Sequence, residues 1–142
     1  MRYSENIDYL ISSIIYLGTH SFYWARSPSN MAQELSLSED RLKLVFEGFP
    51  GIFRKSVRTS SGGEHFYSVQ ARYALREGGS TSDPEQVSYI TPLSTDQLKL
   101  LIDFVQQSAE AERTGRIALI SNTIAVAAAI VAAGAAIATA LL

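Results

Sequence analysis

The sequence predicts an α+β body of three helices and a small antiparallel sheet, followed by an amphipathic helix and a C-terminal transmembrane helix. Three observations carry that expectation. Apolar residues recur at helical spacing up to residue 49, they alternate at period two across 52–73 around a Gly-rich loop, and residues 117–142 contain no charge. The 142 residues therefore divide into a body (1–76), a linker or loop (77–92), an amphipathic helix (93–115) and a membrane helix (116–142).

The first helix is marked by Ile7, Leu10, Ile11, Ile14 and Ile15 on one face, with Ser4 placed as its N-cap and Gly18 just past its end. The aromatic run Ser21-Phe22-Tyr23-Trp24-Ala25 is too short for a helix and reads as a strand, its rings more at home in a core than on a stacking platform. Ser27-Pro28 supplies an N-cap and an N1 proline for a second helix through Met31, Ala32 and Leu35. Ser38 caps a third, whose Glu39 and Asp40 sit on the positive end of the helix dipole and whose buried stripe is Leu42, Val45, Phe46 and Phe49. Pro50-Gly51 ends it.

Residues 52–58 and 65–73 then read as two strands joined by a hairpin loop at 59–64. Period two places Phe53, Val57, Tyr67, Val69 and Ala71 on one face. It leaves Arg54, Ser56, Arg58, Phe66, Ser68, Gln70 and Arg72 on the other. Helix, strand, helix, tight turn, helix and hairpin is the element order of the winged helix-turn-helix family, and residues 4–75 resemble it. The stretches Met31-Ala32-Gln33-Glu34-Leu35-Ser36-Leu37-Ser38 and Phe66-Tyr67-Ser68-Val69 look like its helix-turn-helix and its second wing strand. The resemblance covers about half the chain. It implies DNA binding, with the third helix lying in the major groove.

The residues on that helix argue for something else. With its apolar stripe buried, the third helix presents Asp40, Lys43, Leu44 and Glu47, and two carboxylates and a leucine are poorly suited to phosphates or guanine edges. Asp40, Leu44 and Glu47, with Phe66, instead suit a protein partner. Between Arg41 and Arg76 there are seven basic residues against two acids, a local charge of +5 inside a chain whose net charge is −2. Arg54, Lys55, Arg58 and Arg72 are therefore candidates for contact with phosphate or lipid headgroups, against the plainer reading of a solvated sheet face whose charges discourage edge pairing.

Gly78, Gly79, Ser80, Ser82 and Pro84 mark the linker. The helix after it opens with a capping box, Ser94 with Gln97, and a hydrophobic staple, Leu93 with Leu98. Leu98, Leu101, Ile102, Val105 and Ala109 form its apolar face, and Gly115 is the one weak point before the tail. Whether this helix folds back on the body or runs on into the membrane is open from sequence.

The tail itself holds ten strongly apolar residues and eleven alanines. From Ile124 onward its 19 residues span about 28 Å as a helix, matching a ~30 Å hydrocarbon layer. A buried alanine-rich helix of a soluble assembly is the competing reading, but a body of this size has too little surface to cover one on all sides. Arg113 and Arg116 flank the tail and place the bulk of the chain in the cytoplasm, as a single-pass tail anchor; Glu5 and Asp8 exclude a signal peptide at the start.

No catalytic set emerges. There are no cysteines, and His20 and His65 lie 45 residues apart without metal-ligand spacing, so neither an enzyme, a metal, a cofactor nor a small-molecule substrate is expected. The expected function is a non-catalytic interaction or regulatory module at the bilayer, binding a protein partner or itself. A membrane-tethered DNA-binding regulator is the alternative. A second is an alanine-rich assembly in the bilayer gated by the soluble domain.

Overall fold

The computed structural model describes residues 1–75 and 90–140, with side chains described to residue 117. The architecture is α+β: among the described residues, five helices surround a three-stranded antiparallel sheet. The body runs α1 (Ile7–Thr19), β1 (Ala25–Arg26), α2 (Pro28–Leu35), α3 (Glu39–Gly48), β2 (Phe53–Thr59), β3 (His65–Val69) and α4 (Gln70–Ala74). A single long helix, α5 (Thr95–Ala140), follows. In the sheet β3 lies between β1 and β2.

Local chemistry sets most boundaries. The Ser27 hydroxyl accepts from the Asn30 amide and Pro28 occupies the first turn of α2; Ser38 accepts from the Arg41 amide to open α3. Ser36 closes α2 in the left-handed conformation at φ 54°, so the turn to α3 needs no glycine. The N-cap of α1 is Asn6 rather than Ser4, because Ser4 is bonded to Glu112 of α5.

The core lies where α1, α3, the sheet and α5 meet. Leu10, Ile14 and Leu17 of α1 pack with Met31, Leu42, Val45, Phe46, Phe53, Val69 and Val105, all fully or almost fully buried. Phe46 stands at the centre, its ring 4.8 Å from those of Phe53 and Tyr67. Ile15, placed on the apolar face by periodicity, is exposed, and Leu17 takes its place inside.

The strands depart from simple alternation in two places. The pairing of β2 with β3 shifts between Lys55 and Thr59, which turns Ser56 inward and leaves Val57 exposed, reversing the expected faces for both. The second strand, expected to run to residue 73, stops at Val69 and gives way to α4. Of the aromatic run expected as a strand, only its last residue, Ala25, pairs with β3, together with Arg26, and Phe22 and Tyr23 are exposed rather than core.

The helix predicted from residue 93 both folds back and runs on. Its capping box forms as expected: the Ser94 amide donates to Gln97 Oε1 at 2.9 Å and the Gln97 amide to Ser94 Oγ at 3.3 Å. Val105 and Ala109 are buried against the body, α1 lies antiparallel alongside, and the helical backbone continues through Gly115 without a break. Among the described residues no helix is long and apolar enough to cross a membrane. The tail from residue 118 onward lies outside the described side chains, and most of the linker expected at 77–92 lies outside the described residues.

Candidate functional site

Three surfaces carry the residues singled out by the sequence. The first is the outer face of α3, where Asp40, Leu44 and Glu47 are all exposed, Leu44 by 54%. Phe66 does not join them. It is only partly exposed and lines the other side of the sheet, because its neighbour Tyr67 turns inward onto Phe46.

Beside that face, the lysines of α3 and β2 are held by carboxylates. Lys43 Nζ lies 2.6 Å from Glu39 and 3.3 Å from Glu64, and Lys55 Nζ lies 3.1 Å from Glu47. The hydrogen bond that Lys43 donates to Glu39, and then that to Glu64, raise its ammonium above its ordinary value; the bond Lys55 donates to Glu47 does the same for Lys55. Glu47 is correspondingly lowered by Lys55. Glu64 is lowered too, first by the hydroxyl of Ser29 and then, against some desolvation, by Lys43. The carboxylates thus blunt the local +5 expected to attract phosphate.

The four candidate phosphate contacts are not one patch. Arg54 stacks its guanidinium 4.0 Å over the ring of Tyr73, Lys55 is paired as above, and Arg58 lines a separate aromatic hollow. Arg72 is wholly buried and corrects the reading of it as a surface contact. Because β3 ends at Val69, Arg72 falls on α4 and turns inward. There its Nη1 donates to the Leu17 carbonyl at 2.7 Å, and its Nη2 and Nε donate to the Ile90 carbonyl at 2.7 and 3.3 Å. It joins the end of α1 to the segment that leads into α5.

The second surface is that hollow, about 260 Å³, lined by Phe22, Tyr23, Trp24, Ser56, Arg58 and Phe66. His20 shapes its rim, because its Nδ1 accepts from the Phe22 and Tyr23 amides, each at 3.1 Å. His65 Nδ1 lies 2.8 Å from the Ser56 carbonyl. Both histidines are therefore engaged in backbone structure, and among the described residues no cluster of histidines and carboxylates could hold a metal.

The third surface is where α5 leaves the body. Glu112 accepts from the amides of Tyr3 and Ser4 at 3.0 and 2.9 Å and from the Ser4 hydroxyl at 2.9 Å. Desolvation pushes its carboxyl up, but these bonds outweigh it and hold the group below the usual range. Arg116, one of the two predicted flanking residues, lies 3.0 Å from Glu5; Arg113 lines the same hollow as Glu5 and Arg116. Neither Glu5 nor Glu112 is legible as a partner here from sequence, since the paired residues are more than a hundred positions apart.

No protein-family model, curated protein or solved structure matches this chain.

Proposed function

We propose that the chain is a non-catalytic, membrane-anchored interaction module, its body held in the cytoplasm and binding a protein partner. The observation that carries this reading is the continuity of α5: one helix packs against α1 and then runs on to Ala140, within the 26-residue stretch 117–142 that carries no charge. Arg113 and Arg116 at the junction support a cytoplasmic body. Tethering concentrates such a body near other membrane-bound chains, so a modest interface suffices.

The winged-helix likeness of the body belongs to the same proposal. Its support is the element order from α1 to β3 and the sheet order β1-β3-β2. For a DNA reader the outer face of α3 carries the wrong charge, and its neighbouring lysines already hold carboxylates. The same face, with an exposed leucine between two acids, favours a partner that offers basic and apolar side chains.

Two measurements test the proposal. Full-length chain in membranes resists extraction by alkaline carbonate; release would remove the anchor. Crosslinking in those membranes captures a protein whose yield falls with Leu44→Asp and Asp40→Lys and is unchanged by Arg54→Ala. Tight, steeply salt-dependent binding of duplex DNA that Arg54→Ala and Arg58→Ala weaken would replace the protein partner with nucleic acid.

A further inference from the structure

The exit of α5 from the body gathers arginines that are distant in sequence. Glu5 is the hub: Arg116 Nη2 lies 3.0 Å from its carboxylate, Arg2 Nη1 lies 3.6 Å from the same oxygen, and Arg41 Nη2 donates to its backbone carbonyl at 3.3 Å. Arg113 lines the adjoining hollow of about 360 Å³ together with Ser4, Glu5, Arg116 and Ile117. Of the two carboxylates that reach this cluster, Glu112 is occupied by the amides of Tyr3 and Ser4. Glu5 makes the direct ion pairs with Arg2 and Arg116, and Glu112 adds an attraction for Arg2. Glu110 lines a second hollow together with Arg113, and Asp8 lies one turn beyond Glu5 on α1.

The cluster is built rather than draped. Tyr3 packs its ring 4.7 Å from Phe49 and 5.8 Å from Phe104, and Asn6, itself buried, donates to the Arg2 carbonyl at 2.6 Å. The backbone that carries Arg2 is thereby fixed against α3 and α5. The side chains still reach solvent, with about half the surface of Arg2 and of Arg116 open, and Ile117 beside them is 65% exposed.

We infer that this end of the body is a docking site for anionic phospholipid headgroups, with Arg2, Arg113 and Arg116 taking the lipid phosphates and Arg41 holding Glu5 in place. Guanidinium groups bind phosphate through paired N–H donors. The cluster sits at the foot of the segment that leads into the proposed span, and Arg2, Arg41, Arg113 and Arg116 outnumber the carboxylates Glu5, Glu110 and Glu112 beside them. The inference rests on the membrane reading above: it adds that the body stands on the bilayer rather than swinging free above it.

The test uses full-length chain carrying Asp8→Cys, which introduces the only cysteine in the sequence, at an exposed position of α1 one turn beyond Glu5. The cysteine takes a fluorophore, and its access to acrylamide, a neutral quencher, is compared in phosphatidylcholine vesicles with and without phosphatidylglycerol. Phosphatidylglycerol lowers quenching, salt restores it, and each Arg→Gln change at positions 2, 113 and 116 reduces the ratio of docked to free body about fivefold. Arg113→Lys retains most of the effect. Equal quenching in both vesicles, or an effect of phosphatidylglycerol that survives the triple Arg→Gln variant, overturns the site. So does protection of the label by inorganic phosphate alone in neutral vesicles, which would make the ligand a soluble anion.

Flotation separates the two readings. Chain that floats with neutral vesicles but shows no lipid-dependent quenching loses only the headgroup site. Chain that floats only with anionic vesicles, through these arginines, keeps the site and loses the span. Chain that floats with neither loses both.

Discussion

Replacing Arg72 gives the sharpest contrast between surface and interior roles for a basic residue. Its guanidinium makes three hydrogen bonds to two carbonyls, Leu17 and Ile90, with no exposure to water. Arg72→Ala leaves both carbonyls without these donors, and a buried polar group stripped of its partner costs about 1–3 kcal/mol. The two together set a loss of about 2–6 kcal/mol before any contribution from the cavity, a large share of the ~5–15 kcal/mol that holds a typical domain. The assay is urea unfolding of the full-length chain in mild detergent. The single Trp24, whose ring lies 6.0 Å from that of Tyr73 next to Arg72, reports fluorescence, and circular dichroism reports helix. Arg58→Ala, at an exposed position, is the control and shifts stability by no more than about 0.5 kcal/mol. A loss below about 1 kcal/mol for Arg72→Ala would refute the account of Arg72 as the link between α1 and the approach to α5.

Other outcomes follow from the same contacts. Glu64 has its carboxyl lowered in the folded chain, so its stabilisation is present above the ordinary value of 4.5 and disappears as the pH falls through the lowered one. Wild type therefore exceeds Glu64→Gln in urea midpoint at neutral pH and converges with it in acid; a constant gap across that range contradicts the pairing with Ser29 and Lys43. Ser94→Ala removes the N-cap of α5 and costs about 1 kcal/mol, read as faster hydrogen exchange at the Gln97 amide. Glu112→Gln speeds exchange at the Tyr3 and Ser4 amides about tenfold, the equivalent of one charge-assisted hydrogen bond; unchanged rates would show that the start of the chain is held by its aromatic packing alone. Phe22→Ser, at a side chain 78% exposed, leaves stability within about 0.5 kcal/mol.

The features legible in the sequence are those whose physics is local. A serine that caps a helix acts on the amide three residues on, so Ser27, Ser38 and Ser94 announce α2, α3 and α5 without knowledge of the fold. The buried stripe of α3, Leu42, Val45, Phe46 and Phe49, is read equally well by its spacing. What depends on pairing is lost. A register shift after Lys55 reverses the faces of Ser56 and Val57, and the early end of β3 carries Arg72 from the predicted surface into the interior. Hydrophobicity alone places Phe22 and Tyr23 in the core, but the turn built on His20 holds them outside it. The candidate site fares similarly. Arg113 and Arg116 stand out as flanking charges, but Arg2, Glu5 and Arg41 come to them only through the packing of α1 on α5.

That packing also assigns different roles to the two ends of the body. The start of α1 meets residues 112–116 of α5, whereas its far end meets the beginning, with the Leu93 amide donating to the Gly18 carbonyl at 2.8 Å. From Leu98 to Ile117 the helix rises about 28 Å. The exposed aromatic loop follows the far end of α1, so a body standing on its arginines carries Phe22 and Tyr23 well clear of the bilayer. An aromatic cluster that serves as an interfacial lipid anchor must lie at headgroup level, and this one lies at the opposite end. On the proposed membrane reading the hollow of Phe22, Trp24 and Phe66 then points away from the bilayer, where other chains could reach it. Gly115, with no neighbour to clash against an added Cβ, does not interrupt the helix between them. On that proposed reading a continuous helix would fix the height of the surface above the membrane, so that partners would be selected by reach as well as by chemistry.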